Sequence, residues 1–190
     1  MEDHAAALRW VGENAGRLGG DPARIVVLGH SAGAYNAVMT ALDQRWLERA
    51  GVSPASIAGV VGLSGPYDFL PLKSDATRAA FGEATDLPAT QPINHARKGA
   101  PPILLIHGEQ DELVGAHNSA HLARALSAAG ARAELVTYPA MAHNDPLIAL
   151  AAPWRWRREL AARIARFART HTATDPAGDT VSVPVQAKSR

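Results

Sequence analysis

At 190 residues the chain is sized for one domain, and 47% hydrophobic against 19% charged residues is the balance of a globular protein, not a disordered one. Lys and Arg number 19 against 18 Asp and Glu, a formal net charge of +1, so no global field favours nucleic acid or an anionic membrane. Cysteine is absent, which excludes disulfide scaffolds, thiolate metal sites and thiol nucleophiles. No apolar run is long enough for a transmembrane helix, and the acidic start Met1-Glu2-Asp3-His4 is no signal peptide, so a soluble cytoplasmic protein is expected.

Taken in order, residues 3–18 read as an amphipathic helix with Ala7, Val11, Ala15 and Leu18 on one face, ended by Gly19-Gly20. The apolar run 24–29 follows as a strand, then an Ala-rich helix over 32–49. Residues 57–63 form a second buried strand, with an irregular stretch to about residue 100 that is long for a loop and is a candidate lid. A third strand at 103–106, a helix at 116–129, a fourth strand at 133–138 and a last helix at 154–169 complete the series. Strands alternating with helices predict an α/β fold with a parallel sheet. Residues 1–170 are expected to form the domain and 171–190 a mobile tail; Val181-Ser182-Val183-Pro184-Val185 alternates like a strand, but its proline argues against a central one.

Gly29-His30-Ser31-Ala32-Gly33 matches G-x-S-x-G directly between an apolar strand and a helix, the setting of a nucleophile elbow. A serine hydroxyl needs a base to take its proton and a third group to orient that base. In a parallel sheet such partners lie beyond the carboxyl ends of other strands. Asp111 follows the third strand and His143 the fourth, in the order Ser, Asp, His. Asp68 after the second strand, and Glu109, are the alternative acids.

On these residues the segment from about 3 to 169 resembles the C-terminal part of an α/β-hydrolase. It is most similar to carboxylesterases of the feruloyl/acetyl-xylan esterase-like and kynurenine-formamidase-like group. Gly19-Gly20-Asp21-Pro22, the stretch 25–34, the stretch Leu105 to Asp111, and His143 carry the likeness. The resemblance implies a parallel-sheet α/β-hydrolase core of about four strands with helices on both faces. It also implies an acyl-enzyme mechanism on a small-molecule ester with Ser31, His143 and Asp111 as the triad, the Ala32 N–H as an oxyanion donor, and no metal or organic cofactor. An amidase or formamidase on the same triad is the alternative. Family members carry further strands and a glycine-rich oxyanion loop before the elbow strand, whereas this sequence opens on the helix before it. An N-terminally incomplete chain is therefore expected, with no candidate for a second oxyanion donor and a catalytically impaired remnant as a further reading. Strand 25–29 would then have an unpaired edge, open to a second copy of the chain.

His30, Tyr67 and Phe69 are candidate substrate-pocket residues; Tyr67 and Phe69 read equally well as cover for the sheet end, and His30 as an orienting group. His107 reads as a hydrogen-bonded structural histidine ahead of a second base. His117 and His121, at i and i+4, read as a surface pair because no third metal ligand accompanies them. Asp145 is placed to tune His143 or to cap the next helix. The last helix sets Trp156, Leu160, Ile164 and Phe167 on one face and Arg155, Arg158, Arg163, Arg166 and Arg169 elsewhere, the pattern of a core-docked helix.

Overall fold

The structure, a computed structural model, describes residues 1–151 and 158–173. Helix α1 (Glu2–Asn14) and a 3₁₀ turn lead to β1 (Ile25–His30), α2 (Ala32–Leu42) and α3 (Arg45–Arg49). Then come β2 (Ile57–Leu63), α4 (Asp75–Phe81), β3 (Ile103–Gly108), α5 (His117–Ala128) and β4 (Ala133–Tyr138). Helices α6 (Asp145–Ile148) and α7 (Arg158–Thr172) close the series. The strands form one parallel sheet in the order β1-β2-β3-β4, with Leu28 opposite Val61, Leu63 opposite Ile106 and Gly108 opposite Tyr138.

Because the order runs in one direction, right-handed crossovers carry α2 and α5 to the same face of the sheet. There Ala34, Val38, Leu42, Val60, Leu105, Leu122 and Leu126 form one core, joined by Leu8 of α1 and Leu47 of α3. The opposite face is left to α6 and α7: Val61, Leu63, Leu104 and Ile106 meet Met141, Ala149, Leu160 and Phe167. Each central strand is thus covered twice, which is why β2 and β3 are continuous apolar runs without alternation.

Several local expectations are corrected. The buried residues of α1 are Ala5 and Leu8, flanked by half-buried His4 and Val11, while Ala7 and Leu18 face outward. The His4 ring bonding to Thr40 Oγ1 at 3.0 Å fixes that rotation. The helix expected over 32–49 is two helices. Buried Asp43 leaves helical geometry (φ −90°, ψ 89°) and its carboxylate accepts the Arg45 N–H and guanidinium, so the chain breaks there before α3 begins. The 64–100 stretch contains α4, opened by a reciprocal Ser74–Thr77 capping box.

In α7, Leu160 and Phe167 are buried and Ile164 packs beside them, as its periodicity predicts. Arg163 pairs with Glu134 of β4 and Glu159 at the surface, worth at most about 1 kcal/mol, so the apolar stripe and not the ion pairs docks the helix. Trp156 and the strand-like 181–185 segment lie outside the described residues. Strand β1 is an outer strand, and Leu28 is 41% exposed beside its open edge. Among the described residues no helix is long and apolar enough to cross a membrane.

Tyr67 is fully buried beneath the start of α2, its ring occupying space left by Gly62 and Gly65, and its hydroxyl has no protein partner. A Cβ at Gly62 would overlap that hydroxyl. Gly62→Ala is expected to lower stability by about 1–3 kcal/mol through overpacking. Tyr67→Phe removes an unsatisfied buried group and should restore much of that loss in the double variant. Urea unfolding of the two single variants and the double variant checks the coupling; additive effects would refute it.

Candidate active site

The carboxyl ends of β1, β3 and β4 each pass directly into a short loop, and those loops bring Ser31, Asp111 and His143 together. The turn after β1 is tight: a Cβ at Gly29 would overlap the Gly33 carbonyl, so only glycine lets strand and helix approach this closely. Ser31 consequently sits at φ 55°, ψ −123°, a conformation an L-residue rarely adopts. Its N–H donates to the Leu63 carbonyl on β2 at 2.9 Å, and its own carbonyl accepts from Ala34 and Tyr35. These bonds pin the strained residue from both sides. Ala32 follows at the first position of α2, where a backbone N–H has no intrahelical acceptor.

Ser31 Oγ lies 2.9 Å from His143 Nε2, and His143 Nδ1 lies 2.8 Å from Asp111 Oδ2. Asp111 Oδ1 accepts the N–H groups of Leu113 (3.0 Å) and Val114 (2.8 Å), so the acid loop folds around its own carboxylate. The loop carrying His143 is held close to β3: a Cβ at Gly108 would overlap the Met141 carbonyl, and the Gln110 N–H donates to that carbonyl at 3.0 Å. Asp145 braces the same loop by accepting the Ala142 N–H at 2.8 Å. It therefore ties the His143 loop together, a bond neither expected role anticipated.

His30 donates its Nε2–H to the His143 carbonyl at 2.8 Å, and the two rings stand 4.9 Å apart. The residue preceding the serine thus clamps the loop of the histidine. Behind the acid, His107 is fully buried, its Nε2 2.7 Å from the Val114 carbonyl and its Nδ1 2.7 Å from Ser119 Oγ. Burial holds the His107 pKa below the ordinary histidine value.

Other sequence candidates go elsewhere. Asp68 pairs with His121 at 2.5 Å, not with His143, and Glu109 accepts from Thr137 Oγ1 at 2.8 Å. His117 stacks edge-on against His121, and among the described residues no group of three or more metal-ligating side chains is assembled. Tyr67 is corrected from a pocket residue to a core residue, because Gly62 and Gly65 admit its ring beneath the start of α2. Phe69 is half-buried and meets Tyr35 and Phe81, which anchors the α4 segment on α2. The tyrosine is raised by burial to about 12 and stays protonated, donating to the Thr90 carbonyl. Sequence reasoning missed the Ser119 contact, since nothing in the α5 periodicity marks a serine as aimed at a histidine on β3.

The lowered His107 value has a sign that can be tested. Below about pH 6.5 the unfolded chain binds a proton that the native histidine refuses, so stability falls as pH drops. His4 and His171, also lowered chiefly by burial, act in the same direction. Urea unfolding between pH 7.5 and 5 should therefore show falling stability, with a shallower fall in His107→Gln; parallel curves would refute the His107 contribution.

Three comparisons bear on what this arrangement belongs to. The sequence matches the BD-FAE family over residues 1–126. It is 32% identical over 166 residues to the isoprenylcysteine alpha-carbonyl methylesterase ICME of Arabidopsis thaliana, covering 76% of this chain and 39% of that protein. It is 35% identical over 177 residues to the carboxylesterase NlhH of Mycobacterium tuberculosis, covering 80% and 53%. The chain thus spans about two fifths to a half of the length of these relatives. Among solved structures, propionate-bound Thermogutta terrifontis esterase 2 superposes with a TM-score of 0.70 at 25% identity, over 93% of this chain and 66% of that one. A truncated carbohydrate esterase from gut microbiota shares the fold at a TM-score of 0.69 and 23% identity. With its parallel sheet and its covered faces, this chain belongs to the BD-FAE family and has the α/β-hydrolase fold.

Proposed function

We propose that the protein is a serine hydrolase of the carboxylesterase type, cleaving small carboxylic esters through an acyl-enzyme. The observation that carries this reading is the continuous hydrogen-bonded line from Ser31 Oγ through His143 to Asp111. The esterase names of the relatives support it, as does the propionate held by one solved relative, a small acid of the kind that ester cleavage releases.

In the proposed cycle, His143 Nε2 takes the Ser31 hydroxyl proton as Oγ bonds to the substrate carbonyl carbon. Asp111 holds the imidazole with its proton on Nδ1 and stabilises the cation that forms. The Ala32 N–H donates to the oxyanion, and the positive end of α2 adds to its field. Collapse breaks the bond to the alcohol oxygen, which receives the proton from His143 Nε2. Water then gives a proton to the same nitrogen, attacks the acyl carbon, and releases the acid as the proton returns to Ser31. No step calls for a metal or organic cofactor.

The reading takes His30 and Phe69 as substrate-contacting residues, with Phe69 backed by Tyr35 and Phe81. The open side of β1 is where a second copy would pair. An amidase or formamidase would use the same residues on an N-acyl bond, so ester and N-formyl substrates are compared side by side. Wild type is expected to hydrolyse p-nitrophenyl acetate faster than the N-formyl compound. Ser31→Ala should lose about 10⁴-fold or more, and Asp111→Asn about 10⁴-fold, in kcat. Equal rates for wild type and Ser31→Ala in folded protein would overturn the reading.

A further inference from the structure

Asp111 does not serve one histidine but lies between two. Its Oδ2 receives His143 Nδ1 at 2.8 Å and faces His107 Nε2 at 3.2 Å. The side chains of Asp111 and His107 are both fully shielded from solvent. The protonation of His107 follows from its partners. Its Nε2 lies 2.7 Å from the Val114 carbonyl, which only accepts, so the proton is on Nε2 and bonds to that carbonyl, with Asp111 Oδ2 3.2 Å away on the same side of the ring. Its Nδ1 faces Ser119 Oγ at 2.7 Å, and a neutral ring takes the hydroxyl proton there as an acceptor. Ser119 is itself fully buried, in the first turn of α5. The result is one line across the sheet end: Ser31, His143, Asp111, His107, Ser119.

Resting on the hydrolase reading above, we propose that His107 and Ser119 are positioning residues that extend the triad, holding Asp111 Oδ2 in the orientation from which it directs His143. Three features give the pair this role. The carboxylate's other oxygen is fixed by two backbone N–H groups of its own loop, so without His107 the group could still swing about the Oδ1 anchor. His107 bonds to that loop at Val114 and holds its Nε2 3.2 Å from the carboxylate, so the electrostatic attraction of the N–H for Oδ2 sets one against the other. Ser119 comes from a different element, α5, so the line ties the acid to the helix as well as to β3. A neutral imidazole donor also orients the carboxylate without adding a charge that would cancel its effect on His143.

The test compares His107→Gln, whose amide N–H reaches the Nε2 position, with His107→Leu, which fills the space without a donor, and with Ser119→Ala. His107→Leu is expected to lower kcat for p-nitrophenyl acetate by about 10–100-fold with KM within about twofold, as a displaced catalytic group does. His107→Gln should regain most of that loss, and Ser119→Ala should fall between wild type and His107→Leu. A second readout does not depend on turnover: the far-downfield proton resonance of His143 Nδ1–H should shift in His107→Leu and Ser119→Ala and return in His107→Gln. A merely structural His107 would lower the melting temperature of both His107 variants while leaving the resonance and kcat of the folded fraction alike. That outcome overturns the proposal. Where His107→Leu fails to fold, Ser119→Ala decides by the same resonance. Loss of Ser31 dependence in wild type would sink the hydrolase reading instead, and the resonance would still report whether His107 orients Asp111.

Discussion

The close approach of strand and helix at Gly29 and Gly33 is the constraint on which the rest of the site depends. It forces Ser31 into a conformation that costs on the order of 1–3 kcal/mol, and that cost must be met elsewhere. The surrounding contacts are sufficient. Val38 and Leu42 of α2 are buried against the sheet, and each such apolar side chain removed from water contributes about 1.5–3 kcal/mol. The strained turn is thus held by the packing of the helix it starts. Loosening α2 would release the turn and move the serine away from His143.

The same logic explains which parts of the molecule could be read from the sequence. A strand buried on both faces must be apolar throughout, so β2 and β3 stand out as runs, and the sharp turn after β1 needs a glycine at Gly29, where a Cβ would meet the Gly33 carbonyl. The site residues inherit that legibility, because a parallel sheet delivers everything at its carboxyl edge to one place. Ser31, Asp111 and His143 come together in space because each follows its strand by a few residues, and that spacing is visible in the chain.

What stayed hidden depended on rotation or on contacts across elements. The inward face of α1 is set by His4 reaching Thr40 and by Leu8 joining the core, which a short Ala-rich helix does not announce. The break at Asp43 comes from one carboxylate preferring the N–H and guanidinium of Arg45 over a helical place. Tyr67 looked like a pocket residue because it follows a strand end, yet two glycines on either side of that end let its ring drop into the core. In each case a single side chain overrode the local pattern, and no periodicity encodes such a choice.

The histidines make the point in chemical form. His30 and His107 sit as near the carboxyl edge as His143 does, and composition alone does not separate them. Hydrogen bonding does. His30 Nε2 is committed to the His143 carbonyl and His107 Nε2 to the Val114 carbonyl, so each carries its proton there and cannot accept another. His143 has the reverse arrangement: a carboxylate on Nδ1 draws the proton to that side and leaves Nε2, 2.9 Å from the Ser31 hydroxyl, as the acceptor. What separates the three rings at this sheet end is therefore which nitrogen meets a carbonyl.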